Sequence, residues 1–287
     1  MSTAPSILLQ GAFLTADLLD RAAALAGATR IERVGARLAR LGGMRALPGA
    51  AGRARIAALA DAHRADAAFL SGTAAPAGYR LAVMDMDSTL ITIECIDEIA
   101  DMQGLRAEVS AITAAAMRGD IAYPESLRRR VALLRGLPVE ALARVYAERL
   151  RITPGAETML AAFRAAGMAT LLVSGGFTYF TSRVVARLGI DDARANVLAV
   201  DAGRLTGEVD GPIVDGPAKR EALLDTCDRL GIRPDQAVAI GDGANDLPMM
   251  AAAGVSIAYR AKPVVRAHAT HAINHNGLDA VPPLLGA

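Results

Sequence analysis

The chain of 287 residues contains no tryptophan, and aromatic residues make up only 3% of it. A core without large rings has to be filled by aliphatic side chains and alanine, which suits alanine-rich helices laid on a sheet. Cysteine is equally scarce. Cys95 and Cys227 lie far apart, with neither a CxxC partner nor a histidine at metal-ligand spacing, so both read as buried thiols rather than as a disulfide or zinc framework. No apolar run approaches a membrane span. The short apolar stretch at residues 7–14 has no basic residue before it and runs into Asp17 and Asp20, unlike a signal peptide. The expectation is a soluble cytoplasmic protein. A formal charge of +1, with no long basic block, leaves nothing to hold a polyanion. Nucleic acid and membrane are therefore not expected as partners, and a small-molecule substrate is. Lysine is the scarcest charge: only Lys219 and Lys262 are lysine, and the other 29 of the 31 basic residues are arginine. A lysine here is less readily an accident of surface composition.

The length allows one large α/β unit with its own core and one or two smaller ones. Residues 1–78 read as a small α+β domain: a strand from Ser6, a helix over 15–26, a strand near 30–38, a helix over 53–64 and a short apolar run. A Gly, Ala and Pro-rich linker follows at 71–78. Residues 79–287 carry three apolar strands, at 81–84, 169–173 and 237–240, ending in Asp85, Ser174 and Gly241-Asp242. Apolar strands alternating with helices predict a Rossmann-like core with a parallel sheet covered on both faces, whose ligands bind at the carboxyl ends of the strands. The stretch between the first two strands far exceeds the dozen or so residues that a crossover needs. Helical periodicity at 95–102, 105–117, 124–134 and 139–150 predicts a helical cap insertion at about 94–151.

Asp85-Met86-Asp87-Ser88-Thr89 follows the first strand, and residues two apart on extended backbone point the same way. Two such carboxylates repel unless a cation joins them or one keeps a proton. Mg2+ held by carboxylates could bind a substrate phosphate, and a protonated carboxyl could serve a leaving oxygen. Alone, the pair could equally be solvated turn aspartates. Gly241-Asp242-Gly243-Ala244-Asn245-Asp246 adds two carboxylates and an amide at another strand end, where Asp242 can complete a metal site. Ser174-Gly175-Gly176 offers a hydroxyl and backbone N–H groups for phosphate oxygens at an expected strand-to-helix turn. Lys219, opening a helix, supplies a cation that such a site requires. Lys262 stays unassigned, the four histidines fall outside any motif, and Arg128 and Arg129 read as a solvated helix face.

The order DxDST, SGG, Lys, GDGAND resembles the haloacid dehalogenase superfamily. The longer stretches MDMDSTLITIECIDEIAD, MRGDIAYPESLRRRV, VSGGFTYF and VAIGDGANDLPMM are similar to its phosphoserine phosphatase family. The resemblance runs from about Leu81 to the C-terminus and implies hydrolysis of O-phosphoserine, the last step of serine biosynthesis. It makes Asp85 the nucleophile and Asp87 the general acid and base. It assigns Mg2+ to Asp85, the backbone carbonyl of Asp87, and Asp242. Ser174, Gly175 and Lys219 would grip the phosphate, Asn245 would support the site, and Asp246 would order metal water and Lys219. In the cap it puts Glu94 on the substrate ammonium, Arg130 on its carboxylate and Tyr123, where relatives often have Phe, beside the pocket. Residues 1–78 resemble small regulatory amino-acid-binding (ACT-like) domains and are a candidate homodimerisation device. Transfer of the phosphoryl group to homoserine, hydrolysis of another small monoester, and a non-enzymatic amino-acid sensor remain open alternatives.

Overall fold

The computed structural model describes residues 4–71 and 78–286, so most of the expected linker, residues 72–77, lies outside the described residues. Four strands open the chain: β1 (Ser6–Gly11), β2 (Arg30–Arg33), β3 (Leu38–Gly42) and β4 (Ala65–Leu70). They form an antiparallel sheet in the order β2-β3-β1-β4, with helices Ala16–Ala26 and Ala50–Ala62 packed on it. The first helix starts where the Thr15 hydroxyl accepts from the Leu18 N–H, 3.2 Å, and stops at Gly27 with φ 65°. The single strand expected near 30–38 is in fact the hairpin β2-β3. The chain turns at Gly35, with the Val34 N–H donating to the Leu38 carbonyl at 3.0 Å, an interruption that a run of apolar and basic residues does not announce.

Strand alternation explains how this sheet joins the rest of the molecule. Ile7 and Leu9 pack with Leu18, Leu41 and Ile56 under the two helices, whereas Leu8 and Ala68 point the other way into the main core. Polar contacts reinforce the junction. Gln10 donates to the Ala280 carbonyl at 3.0 Å, and buried Asp66 accepts from the Asn274, His275 and Asn276 backbone N–H groups at 2.7, 3.3 and 3.1 Å.

The second sheet contains β5 (Leu81–Met84), β6 (Ala169–Phe177), β7 (Asp192–Asp201), β8 (Arg204–Asp210), β9 (Ala237–Gly241), β10 (Val255–Tyr259) and β11 (His271–Ile273). Its order is β11-β10-β9-β5-β6-β7-β8, parallel throughout except for β8. Helices cover both faces, so central β5 is buried along its whole length. Between β5 and β6 lie helices Cys95–Asp101, Arg106–Met117, Tyr123–Ala132 and Glu140–Arg144. The two chain segments that enter and leave this helical group meet in an Ile91–Ile152 bridge, next to a Thr92 N–H donation to the Arg151 carbonyl at 3.0 Å. One expectation at the strand ends is corrected. Ser174-Gly175-Gly176 does not form a turn. It lies inside β6, which runs on past a register shift to Phe177 and enters helix Thr178–Leu188 directly. A Cβ on either glycine would crowd a neighbour across the crevice, the Tyr123 hydroxyl at Gly175 and the Asp87 carboxylate at Gly176. Among the described residues, no helix is long and apolar enough to cross a membrane.

Candidate active site

Asp85 follows the last residue of β5, its N–H donating to the Ile240 carbonyl at 2.9 Å, so the ends of β5 and β9 are locked side by side. The chain then coils through residues 86–90 and closes with the Ile91 N–H on the Met86 carbonyl, 3.0 Å. Ser88 takes φ 56° inside this turn, a conformation that costs an L-residue about 1 kcal/mol and marks a loop set by its surroundings. Its hydroxyl donates to Glu94 Oε1 at 2.7 Å.

The fully buried Lys219 Nζ sits 2.7 Å from Asp85 Oδ1 and 2.7 Å from Asp246 Oδ1. Burial alone would strip the lysine of its proton, but Asp246 and Asp85 outweigh it and push the ammonium well above its ordinary range. Asp85 Oδ1 also accepts from the Met86 N–H at 2.8 Å. Burial and Asp246 hold the Asp85 carboxyl well above its ordinary range, although Lys219 pulls it down. Asp246 is anchored by the Gly243 N–H at 3.0 Å, and Thr89 donates to Asp242 Oδ1 at 3.2 Å. A side chain on Gly241 would collide with the Asp246 carboxylate, so this close approach requires glycine.

Asp85, Asp242 and Asp246 bring one carboxylate oxygen each within 4.8 Å of one another. Lys219 is the lysine set among them, and the charge is not balanced: burial, Asp246 and Glu94 push Asp242 up to about 7. Oxygen donors crowded at that spacing and short of positive charge fit a divalent cation. Asp87 is outside this cluster. Its buried Oδ1 has no hydrogen-bond partner, and burial together with Glu94 pushes the carboxyl up to about 8, against a lowering contact with Cys95.

The other end of the crevice is closed by helix Tyr123–Ala132. Tyr123 donates to the Gly175 carbonyl at 3.2 Å, and a Cβ on Gly175 would strike that hydroxyl. Asn196 on β7 donates to the same carbonyl at 2.8 Å and accepts from the Val214 N–H at 2.8 Å, which holds the β6 extension in place. Buried Ser174 accepts from the Gly176 N–H at 2.9 Å. The Glu94 carboxyl is raised by partial burial and by Asp97 and lowered by Ser88, Arg130 and Lys262. Arg130 is half-buried and directs Nε to the Ser126 carbonyl, 3.4 Å, while Arg129 pairs with Glu125 on the outer face at 2.7 Å. Asn245 places its amide oxygen over Gly243.

The residues singled out from sequence therefore meet at one edge of the sheet, in the crevice under the helical group. A family profile described as haloacid dehalogenase-like hydrolase matches residues 82–251. The chain belongs to the haloacid dehalogenase-like hydrolases. This hydrolase is 58% identical over 212 residues to a phosphoserine phosphatase of Polaromonas sp. strain JS666, a match covering 72% of this chain and 90% of that protein. A haloacid dehalogenase family hydrolase from Salmonella enterica serovar Typhi superposes with a TM-score of 0.87 at 31% identity, covering 98% of each chain. A probable phosphoserine phosphatase from Vibrio cholerae superposes at 0.82 with 34% identity, covering 100% of this hydrolase and 88% of that chain. Four contributors to the hydrolase's site were not found from sequence. Thr89 and Asn196 act through partners 153 and 21 residues away. Ser88, like Thr89, stands in the DxDST motif with no role of its own there. Lys262, left unassigned, donates its N–H to the Asp242 carbonyl at 3.4 Å and lowers Glu94, and only its rarity pointed to it.

Proposed function

We propose that this chain is a phosphoserine phosphatase that hydrolyses O-phospho-L-serine through an aspartyl-phosphate on Asp85. The observation that carries the reading is the different partnering of two neighbouring buried carboxylates. Asp85 is paired with a buried lysine, and Asp87 keeps its proton to about pH 8. Burial raises both carboxyls, but only Asp85 has an ammonium at 2.7 Å to hold the charged form that attacks, which leaves Asp87 as the group that carries the proton. Similarity to relatives carrying that name supports the substrate.

Asp85 is held through Oδ1, which leaves Oδ2 to attack phosphorus. As that P–O bond forms, the bond from phosphorus to the serine oxygen breaks, and Asp87 passes its proton to the departing oxygen. Asp87, now a carboxylate, takes a proton from water. The water oxygen attacks the phosphorus and releases Asp85 and inorganic phosphate. Lys219, the Ser174 hydroxyl and the Gly175 N–H hold the phosphoryl oxygens, and Glu94 and Arg130 take the substrate ammonium and carboxylate. Asp85, Asp242 and the Asp87 carbonyl would hold Mg2+, with Asp246 and Asn245 fixing the loop around it. When bound, the cation neutralises charge shared by the nucleophile and the phosphoryl group.

Phosphate release with Mg2+ from a panel of phosphorylated amino acids and sugars tests the reading. O-Phospho-L-serine should be the preferred substrate. A sugar phosphate turned over faster, or phosphoryl transfer to an added alcohol such as homoserine, would displace it.

A further inference from the structure

A second cavity, of about 410 Å³, lies outside the catalytic crevice, where the N-terminal sheet meets the ends of β10 and β11. Arg64, Arg260, Ala261, Arg266, Asn274 and His275 line it. Twelve other arginines of the described residues lie within 4.0 Å of a carboxylate, but these three do not. Arg266 reaches only Asn274 Oδ1, at 3.4 Å, and Arg260 stands over the Tyr259 ring at 5.4 Å. The nearby acid, Asp61, is taken up by His275 Nε2 at 2.7 Å.

The backbone adds an independent observation. Arg64 and Arg260 hold φ 52° and 46°, and they account for two of the four non-glycine residues with positive φ among those described. An L-residue is strained in this conformation, and strain of this kind collects at functional sites. Neither turn gains from an arginine, and glycine would hold both without strain. The walls are nonetheless fixed, because buried Asp66, two residues from Arg64, holds the 274–276 backbone.

We propose that this cavity binds a small phosphate-type oxyanion, either free inorganic phosphate or the phosphate group of a phosphorylated amino acid. Three guanidinium forks with no carboxylate among them match a dianion better than a single carboxylate, and planar forks hold phosphate oxygens two at a time. The volume suits a small ligand. Arg260 lies two residues before Lys262, whose N–H meets Asp242, so the occupant sits next to the crevice without entering it.

Equilibrium dialysis of the full chain against labelled inorganic phosphate, and separately against the phosphonate analogue of phosphoserine, tests the proposal. Comparison with an Arg64→Gly/Arg260→Gly variant removes the catalytic site from the count. The unaltered protein should bind one equivalent more than the variant. A surplus in the phosphate arm alone identifies free phosphate, and one in the phosphonate arm identifies a phosphorylated amino acid. Without ligand, the variant should melt no lower than the unaltered protein, because glycine relieves both turns. Equal stoichiometry in both arms, or a lower melting temperature of the ligand-free variant, would overturn the proposal. If the double variant does not fold, Arg266→Gln must weaken occupancy at least tenfold, and unchanged occupancy overturns the proposal equally.

Discussion

Asp87 differs from Asp85 by two positions and by the absence of a hydrogen bond on Oδ1, and in the proposed mechanism that difference separates acid from nucleophile. Asp87→Asn keeps the shape and removes the proton. Turnover of phosphoserine should fall about 10²–10⁴-fold. With p-nitrophenyl phosphate, whose leaving group needs no proton, the variant should still give a burst of nitrophenol before hydrolysis stalls, and rapid-quench kinetics without a burst would remove Asp87 from the second step. Glu94 and Arg130 make a different prediction. Leaving either substrate charge without its partner costs a few kcal/mol, or about a hundredfold in kcat/KM. Glu94→Ala and Arg130→Ala should therefore damage phosphoserine hydrolysis and spare p-nitrophenyl phosphate; equal losses on both would reassign the two residues to folding or closure. The groups legible in the sequence were those held in short contiguous motifs at strand ends, such as Asp85, Asp242 and Asp246. Asn196 was hidden because an isolated asparagine has no local signature, and Thr89, although inside the DxDST motif, gets its partner Asp242 only from the fold.

At the scale of elements, the parallel strands and the helices between β5 and β6 were readable because apolar runs and 3.6-residue periodicity are local signals. The β2-β3 hairpin was not, because its strands are only four and five residues long, and the extension of β6 was not, since it depends on pairing with β7. The sheet junction was equally invisible, because Asp66 meets partners 208 to 210 residues away. Every catalytic group proposed here lies beyond residue 78, so the N-terminal sheet has no direct part in the chemistry. It does hold the 274–276 segment. Asp66→Ala would orphan buried backbone N–H groups at a cost of about 2–4 kcal/mol. The variant should show a clearly lower melting temperature by calorimetry with kcat within about twofold of the unaltered protein at low temperature; a kcat loss without a stability loss would mean that the junction shapes the crevice instead.

Across the whole molecule, buried titratable groups set a pH profile. Asp87 and Asp242 are raised from 3.8 to about 8 and about 7, so between those limits the folded chain holds protons that the unfolded chain has released. Their contribution is present at the acid end and is lost as pH rises. His271 runs the other way: burial lowers it from 6.5 to about 4, so it contributes above 6.5 and that stability is lost as pH falls towards 4. The two carboxyls outweigh the one imidazole over their shared window, so these groups should lower the melting temperature of metal-free protein as pH rises from about 4 to about 8, and the gain from Mg2+ should grow from about pH 5 to about pH 8 as the carboxylates ionise. A gain independent of pH in scanning fluorimetry would place the cation elsewhere. The central claim is the covalent intermediate. Acid-quenched enzyme in steady-state turnover of phosphoserine, reduced with borohydride and mapped by peptide mass spectrometry, should carry homoserine at position 85, because reduction converts an aspartyl-phosphate to that alcohol. Unreduced Asp85 throughout, with phosphate found on Ser88 or Ser174, would contradict the account.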